Sequence, residues 1–485
     1  MQQDLTTIKR RSAARLLGAL PAAALVAVLA GCASPAGIEP QARPLDGAEV
    51  GLAGTEAAPA ISFEWWRELG DAQLDRLVER ALQDHPDLKV AQARLARAAA
   101  GVEGADAARW PQVNGSLDLT RQRYTENGAV PAPLAGSIRN SATLQLSGGW
   151  ELDFFGRHRA QLEAAFGARR AAQAEVAAAR VVLAANVVRQ YVQLGRLFEQ
   201  RAIAERTLAQ RQEMLELVRQ RVAAGLDTQV ELRQGEGALP EIRQQIESLD
   251  EQIALARHAL AALTAQAPGA LDDLRPALPA LRDVPVPQQL PADLLGRRPD
   301  VEAARWRVEA AARDVQVART EFYPNVNLTA FVGLSSIGLD RLLEAGSRQY
   351  GAGPALRLPV FEAGRLRAQL RGRTADLDAA IESYNAAVLG AVRDVADQLA
   401  SRRSVERQLR EQQQAQAAAE AAYDYAVQRY RAGLGSYLTV LTAEQAVLAQ
   451  RRLGADLKAR TLDTHIALMR ALGGGHAADA TLARR

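Results

Sequence analysis

The sequence carries one series of landmarks twice, and this repetition constrains the fold more than any other feature. Pro86 precedes a helical pattern that ends at Pro111, and Pro299 precedes a similar pattern that ends at Pro324. The two members of each pair are separated by the same number of residues. Internal repeats fix the architecture of a chain, because each copy should fold into the same unit.

Further landmarks recur downstream at a slightly smaller common offset. The pair Gly156-Arg157 recurs as Gly364-Arg365, and the turn at Gly225 recurs at Gly433. A general likeness between helices rich in alanine and arginine would not reproduce the proline and glycine landmarks in order. The sequence therefore predicts a tandem duplication.

Each copy contains a β-hairpin with one apolar and one polar face. After Pro111 the hydrophobic period changes from a helical one to two, which is typical of strands. The hairpins are predicted at 112–153 and 325–361, and the returning strand of the second includes Leu358 and Val360. Their strand lengths fit tilted membrane-spanning strands of about ten residues. The apolar face contains Val113, Leu117, Leu119, Ala142, Leu144, Leu146, Trp150, Leu152, Val326, Leu328, Ala330, Val332, Leu334 and Leu356.

A long helix follows each hairpin. No proline occurs from Arg157 to Ala224 or from Gly364 to Arg431, and both stretches carry apolar stripes at helical spacing. At 1.5 Å per residue, each helix would be about 100 Å long. Shorter helices return at about 229–264 and 436–472, and Pro240 is expected to kink the first or to restart it locally. The fold class is α+β, with long antiparallel helical hairpins.

Four strands in one chain cannot close a membrane barrel, because small closed barrels need about eight. An open sheet edge in lipid would leave backbone groups unpaired at several kcal/mol each. We therefore expect an oligomer, in which two chains give eight strands and three chains give twelve.

The first residues have the composition of a targeting segment. A basic region with Lys9 and Arg10 precedes an apolar run that ends at Gly31-Cys32, and Cys32 is the only cysteine among 485 residues. Residues 1–31 are predicted to be a lipoprotein signal peptide, with acylation of Cys32 after cleavage. Residues 32–61, rich in glycine, proline and alanine, are expected to be a lipidated, extended tether.

The landmarks also divide the rest of the chain. The first structural repeat is predicted at 62–267, with a helix beginning at Trp65-Trp66. A proline-rich linker follows at 268–298, and the second repeat occupies 299–472. The tail at 473–485 is expected to be disordered.

Charge and motif content exclude several classes of function. The net charge is +3, with 59 basic and 56 acidic residues interspersed along helices, so no nucleic-acid partner is expected. The five histidines are scattered and lack metal-ligand spacing. Neither a phosphate loop nor a nucleophile elbow occurs. We predict no enzyme activity, no metal and no cofactor.

Motifs along nearly the whole mature chain resemble those of the TolC-like outer-membrane factor family, in its lipoprotein (OprM/NodT-type) branch. This branch serves resistance-nodulation-division efflux pumps. The motifs are Trp65-Trp66, Trp150-Glu151-Leu152-Asp153-Phe154-Phe155-Gly156-Arg157, Leu294-Leu295 through Arg298-Pro299-Asp300-Val301, Pro324, and Arg429-Tyr430 through Gly433 and Leu438.

The resemblance implies a homotrimer with a twelve-stranded barrel in the outer membrane and a helical tunnel in the periplasm. It also implies passive conduction, with a periplasmic adaptor and an inner-membrane resistance-nodulation-division transporter as partners. Type I protein secretion or metal efflux on the same fold stays open as an alternative. A structural coiled-coil envelope lipoprotein is another, although such a spacer needs no amphipathic hairpins.

The resemblance also assigns site residues. Adaptor contact is expected at the two helix-turn tips, Gly225, Leu226, Asp227 and Thr228 and Gly433, Leu434, Gly435 and Ser436. The periplasmic gate is expected at Arg429, Tyr430, Leu438 and Thr442. Thr442 stands where close relatives often carry Asp, which argues against an acidic selectivity ring, although Glu444 lies half a turn away.

Overall fold

The computed structural model describes residues 34–52, 61–278 and 294–476. The described residues form two compact units, one built on 34–44, 96–171 and 304–384 and the other on 45–52, 61–95, 172–278, 294–303 and 385–476. The α-helices and β-strands are, in order, α1 (Ala72–Asp84), α2 (Pro86–Ala107), β1 (Gln112–Arg123), β2 (Ile138–Leu152), α3 (Arg157–Ala223), α4 (Gln229–Leu263), α5 (Leu294–Arg297), α6 (Pro299–Thr320), β3 (Asn325–Ile337), β4 (Arg348–Arg357), α7 (Arg365–Arg431) and α8 (Tyr437–Ala471).

Corresponding helices of the two repeats have equal lengths. Helices α2 and α6 each contain 22 residues, α3 and α7 each contain 67, and α4 and α8 each contain 35. Equal lengths are expected when two copies of one ancestral unit preserve their helix starts and stops. The fold agrees with the tandem duplication that the landmarks predict.

In the first unit, the four strands form one antiparallel sheet in the order β1-β2-β3-β4. The register pairs Leu117 with Leu144 and Leu144 with Leu334, so the apolar residues of successive strands share one face. Strands β1 and β4 are the edges of this sheet. The second hairpin is shorter than predicted, since β4 ends at Arg357 and leaves out Leu358 and Val360. Pro359 has no N–H to donate to a ladder, and the strand ends two residues before it.

The described part of the predicted tether lies against α7. The backbone N–H groups of Gln41 and Ala42 donate to Asp378 Oδ1 at 2.9 and 3.0 Å, and Ile38 is buried. Arg367 donates to the carbonyl oxygens of Ser34 and Ala36. Residues 38–46 of this segment are extended, as predicted, but Gly47–Val50 forms a 3₁₀ helix, and the part from Ser34 to Ala42 is fixed along α7.

The second unit has an apolar core in which Trp65, Trp66 and Tyr191 are buried. The predicted helix does not begin at the paired tryptophans, because they lie in a 3₁₀ turn, Trp65–Leu69, that precedes α1. Asp71 caps α1 and also accepts a 2.5 Å hydrogen bond from Tyr191 Oη. Among the described helices, α3 is the one with a stretch apolar enough to cross a membrane; half of that stretch is buried inside the protein, as in a core helix.

Helix α4 continues through Pro240 without the local restart that was one of the two expected effects, and the expected kink stays a prediction. Pro240 is exposed, so water can satisfy the carbonyl that loses its helical partner. One further expectation is corrected in this unit. The predicted disordered tail begins with an ordered turn, in which Gly473 and Gly474 have positive φ and are buried. His476 Nε2 lies 2.7 Å from Glu302. Residues 477–485 lie outside the described residues.

Candidate functional site at the helix-turn tips

The two helix turns have the same backbone. Gly225 (φ +67°) follows α3 and Gly433 (φ +71°) follows α7, each in the left-handed region that glycine adopts without strain. The N–H of Leu226 bonds the carbonyl of Arg221 at 2.9 Å, and the N–H of Leu434 bonds that of Arg429 at 2.8 Å. Both turns thus close a helix with the six-to-one bond that glycine-terminated helices commonly use.

A polar side chain then starts each return helix. Thr228 caps α4 in a full capping box, because its Oγ1 accepts from Val230 N at 3.1 Å while Glu231 accepts from Thr228 N at 2.9 Å. The hydrogen bonds from Thr228 lower the pKa of Glu231. Ser436 caps α8 by accepting from Thr439 N at 3.4 Å. The caps fix both turns as rigid, short connections.

Each tip presents one exposed leucine. Leu226 is 65% exposed and Leu434 is 69% exposed, at matching positions of the two turns. Neither packs in a hydrophobic cluster of its own unit. A leucine at the end of a rigid turn is suited to contact a partner.

A hydrogen bond links the second tip to the first. Tyr430 Oη donates to Asp227 Oδ2, and Asp227 also accepts from Arg221 Nε at 2.9 Å and from Arg221 Nη2 at 3.3 Å. The Arg221 guanidinium lies 4.7 Å from the centroid of the Tyr430 ring. Tyr430 is fully buried, and the side chains of Arg221 and Asp227 are 13% and 11% exposed. We call Arg221, Asp227 and Tyr430 the tip tie.

The electrostatics of the tip tie keep each partner in its bonding form. Burial opposes ionisation of Asp227, but the hydrogen bonds from Arg221 and Tyr430 outweigh it and lower the pKa of Asp227. Burial and the bond to Asp227 raise the pKa of Tyr430. The hydrogen bond to Asp227 raises the pKa of Arg221. At neutral pH, a neutral phenol and a guanidinium therefore both donate to one carboxylate.

A second polar link lies further from the tips. Arg211 Nε donates to Glu444 Oε2 at 2.9 Å, and both side chains are only 7% exposed. Arg211 Nη1 donates to the carbonyl of Ala238 at 2.8 Å and lies 3.3 Å from Glu241. Arg211 thus joins α3 to both return helices, α4 and α8. Burial raises the pKa of Glu444, and Arg211 offsets this only in part.

The predicted gate residues divide into two groups. Tyr430 reaches the first tip, whereas Arg429 donates to the Leu434 carbonyl of its own turn at 3.0 Å. Leu438 is 61% exposed on α8, and Thr442 is also exposed and donates to the Leu438 carbonyl at 2.9 Å. Because Glu444 is buried on Arg211, it is not an exposed acidic substitute beside Thr442 in this structure.

Some residues of the site were not predicted from the sequence. Asp227 was predicted only as an adaptor contact, and its role as the acceptor of the tip tie was not foreseen. Arg211, Arg221 and Tyr437 were not singled out, yet the Tyr437 ring lies 5.8 Å from the Tyr430 ring and packs against it. A sequence signal existed for Arg221, since it is the counterpart of Arg429 in the repeat. Cys32 lies outside the described residues.

Residues 77–266 and 290–474 match the family model described as outer membrane efflux protein. The chain belongs to that family. This two-part match also agrees with the tandem duplication. Outer membrane efflux proteins are channels and not enzymes, so the chain is an outer-membrane channel of an efflux system, with a helical tunnel in the periplasm. Channels of this TolC-like type form trimers and work with efflux-pump partners.

The efflux channel is similar in sequence to resistance and export proteins of other bacteria. It is 41% identical over 365 residues to the fusaric acid resistance protein FusA of Burkholderia cepacia, covering 73% of this chain and 68% of that protein. It is 34% identical over 424 residues to the multidrug resistance outer membrane protein MdtP of Escherichia coli K12, covering 86% and 87%. The crystal structure of VceC from Vibrio cholerae superposes with a TM-score of 0.80 at 34% identity, covering 85% and 98%.

Proposed function

We propose that this efflux channel is the outer-membrane component of a tripartite pump and conducts small toxic molecules passively. A resistance-nodulation-division transporter in the inner membrane would supply the energy, and a periplasmic adaptor would connect it to the channel. The names of FusA and MdtP support export of small molecules. The exposed Leu226 and Leu434 give the adaptor an apolar contact on each tip.

The unit of function in this proposal is a homotrimer. Strands β1 and β4 are the edges of a four-stranded sheet, and their outward backbone groups need partners in lipid. Pairing β4 of one chain with β1 of the next, three times, gives a closed barrel of twelve strands without edges. Acylation of Cys32 would add a lipid anchor in the outer membrane, and its expected signature is loss of fatty-acid labelling in Cys32→Ser.

The tip tie is the observation that carries the proposed gate. It connects the last turn of α7 to the turn after α3 through a buried hydrogen bond to a charged group, and such bonds contribute about 1.5–3 kcal/mol each. Three copies in a trimer would hold the tips closed and still permit opening. The adaptor would open the channel by binding the open tips more tightly than the closed ones, because only differential affinity shifts an equilibrium.

Leu438 and Thr442 define the character of the proposed constriction. Three exposed Leu438 side chains around an axis would form an apolar ring, which resists ions by dewetting. With Thr442 in place of an acidic residue and Glu444 buried on Arg211, the ring has no carboxylate of its own. We infer weaker cation preference than an acidic ring would give.

The experiment is single-channel recording of the purified full-length protein in planar bilayers. Tyr430→Phe removes the hydrogen bond and preserves the ring, so the ratio of open to closed channels should rise by at least roughly tenfold, the factor for the loss of one such bond. Tyr425→Phe, at an exposed tyrosine of the same helix, is the matched control and should leave the ratio unchanged.

The same variants should be compared in cells for sensitivity to large antibiotics. Higher sensitivity with Tyr430→Phe, and none with Tyr425→Phe, is expected if the opened tips admit such compounds. If Tyr430→Phe conducts like the parent, the gate does not depend on the tip tie.

A further inference from the structure

The two ends of the β-sheet have different surroundings. At one end, β1 begins just after α2 and β2 ends just before α3, so this end carries the helices. At the other end, the strands are joined by the loops 124–137 and 338–347. Because the helical tunnel of this channel is periplasmic, the loop end faces the outside of the cell.

The register shows which face of the sheet meets lipid. Val113, Leu117 and Leu119 share one face of β1, and their ladder partners on β2 include Leu144 and Ala142. The intervening residues of β1 are polar. In an outer-membrane barrel, the apolar face contacts hydrocarbon and the polar face lines the lumen.

Arginines continue the apolar face at its outer end. Arg121 and Arg123 follow Leu119 at intervals of two, which keeps them on the side of Leu117 and Leu119. On β4, Arg348 is the ladder partner of Leu334, and Leu334 pairs with Leu144. The lipid-facing surface of both edge strands therefore ends in arginine on the extracellular side.

Two of these arginines are not neutralised by a described carboxylate and can therefore bind an anionic ligand. Within the described residues, Arg121 and Arg348 are exposed and form no ion pair of 4.0 Å or less with a carboxylate, whereas Arg123 pairs with Glu126 at 2.9 Å. Arg123 also donates to the Gly136 carbonyl at 3.3 Å. Arg121 and Arg348 are thus the cations of this face that lack an internal counter-ion.

The position of the arginines fits an anionic lipid headgroup. A cationic side chain on the lipid face costs about 2–4 kcal/mol at the bilayer midplane but only about 0–1 kcal/mol near the interface. Guanidinium groups bind phosphate with two parallel hydrogen bonds, and Arg stems can lie along apolar surface while the charge reaches the headgroups. The outer leaflet of the outer membrane is built of lipid A, whose glucosamine units carry phosphates.

We propose that Arg121 and Arg348 bind the phosphate groups of lipid A at the extracellular rim of the barrel. The two residues lie on opposite edge strands of one chain. In the proposed trimer, β4 of one protomer would adjoin β1 of the next, so the site would span each protomer boundary. The proposal rests on the proposed trimer for this last feature and on the outer-membrane location for the rest.

The test is native mass spectrometry of the full-length detergent-purified protein with bis-phosphorylated lipid A, and with the same lipid after phosphate removal. Arg121→Gln or Arg348→Gln should weaken lipid A retention roughly fivefold, and the double variant roughly 25-fold, since each basic residue near an anionic surface contributes about that factor. Arg139→Gln is the matched control. It lies at the same end but on the lumen face, opposite Gln122, and it should change nothing.

Equal retention by the double variant and the parent would overturn the proposal, as would equal retention of the lipid without phosphates. Oligomeric state and bilayer conductance are measured on the same samples. A trimer that conducts normally but has lost lipid A assigns the defect to the rim. Absence of trimers in the parent would instead contradict the proposed assembly.

Discussion

The two helix-turn tips have one backbone and different side chains. Both close with the same six-to-one bond, and both present an exposed leucine. At equivalent positions of the repeat, the first tip has Val222 and Asp227 where the second has Tyr430 and Gly435. The first tip therefore supplies only the acceptor of the tip tie, and the second supplies only the phenol donor. Divergence at two positions has turned duplicate turns into complementary ones.

The equivalent arginines illustrate the same divergence. Arg221 binds the carboxylate of Asp227, whereas Arg429 has no carboxylate at Gly435 and donates to the Leu434 carbonyl at 3.0 Å. Each arginine stabilises its own turn. Because the second turn is closed without a carboxylate, Tyr430 can bond only across to the first.

A second pair of equivalent residues separates surface from core. Glu236 on α4 pairs with Arg233 at 2.8 Å, and the side chains of Arg233 and Glu236 are 76% and 35% exposed. Its counterpart Glu444 on α8 is buried on Arg211. The two ion pairs have similar distances, but only the second is shielded from water.

The largest expected effect tests this difference in burial. Arg211→Met should lower the free energy of unfolding by about 3–5 kcal/mol, because it leaves Glu444 buried without a partner. Arg233→Met should lower it by less than about 1 kcal/mol. Adding Glu444→Leu to Arg211→Met should recover most of the loss. Denaturant unfolding followed by circular dichroism compares the three variants with the parent, and equal losses for the two single variants would contradict the comparison.

A smaller effect tests the charge of the tip tie through pH. Since the folded state lowers the pKa of Asp227, its contribution is present above the ordinary Asp value of 3.8 and is lost as pH falls through the lower folded pKa. The ratio of open to closed channels of the parent should therefore stay constant from neutral pH down to about that value. Asp227→Asn should raise the ratio of open to closed channels by at least roughly tenfold already at neutral pH.

Bilayer recordings across the same pH series check both expectations. Opening of the parent at a pH well above the ordinary Asp value would show that another group controls the tips. A pH profile of Asp227→Asn that still contains the acid transition of the parent would have the same meaning.

The smallest effect comes from making the second tip resemble the first. Gly435→Asp would offer Arg429 a carboxylate, and the nearest atom to the added Cβ is Arg429 Cβ at 3.4 Å. We expect the free energy of unfolding to rise by less than about 1 kcal/mol, as for other exposed ion pairs, in the same denaturant unfolding experiment. Gly433→Ala is the contrast, costing about 1 kcal/mol because φ is +71°. A loss with Gly435→Asp as large as that with Gly433→Ala would contradict this reading of the turn.

The sequence was sufficient for the elements because each has a local signal. Long runs without proline predicted α3 and α7 almost to the residue, and alternation predicted the strands. Pro240 does not interrupt α4, since exposure to water lets a helix tolerate a missing N–H. The sequence pattern extended β4 past Pro359, where the hydrophobic alternation continues although the ladder cannot.

The site was less predictable because its contacts join distant parts of the chain. Tyr430 and Asp227 are 203 positions apart, and no periodicity says which buried phenol will meet which carboxylate. The family resemblance selected Tyr430 but assigned Asp227 to a different role. Only the packing of α3 against α7 and α8 identifies Arg211 as the partner of Glu444.

The segment that is fixed along α7 limits the length of chain between Cys32 and the protein surface. Arg367 donates a hydrogen bond to the carbonyl of Ser34, and one residue, Ala33, separates Ser34 from Cys32 in the sequence. An acyl group on Cys32 would then be a short tether and not a long, flexible one. It would fix the position of the start of α7 relative to the inner leaflet of the outer membrane. Lengthening the chain between Cys32 and Ser34 would let the barrel change its depth relative to that leaflet.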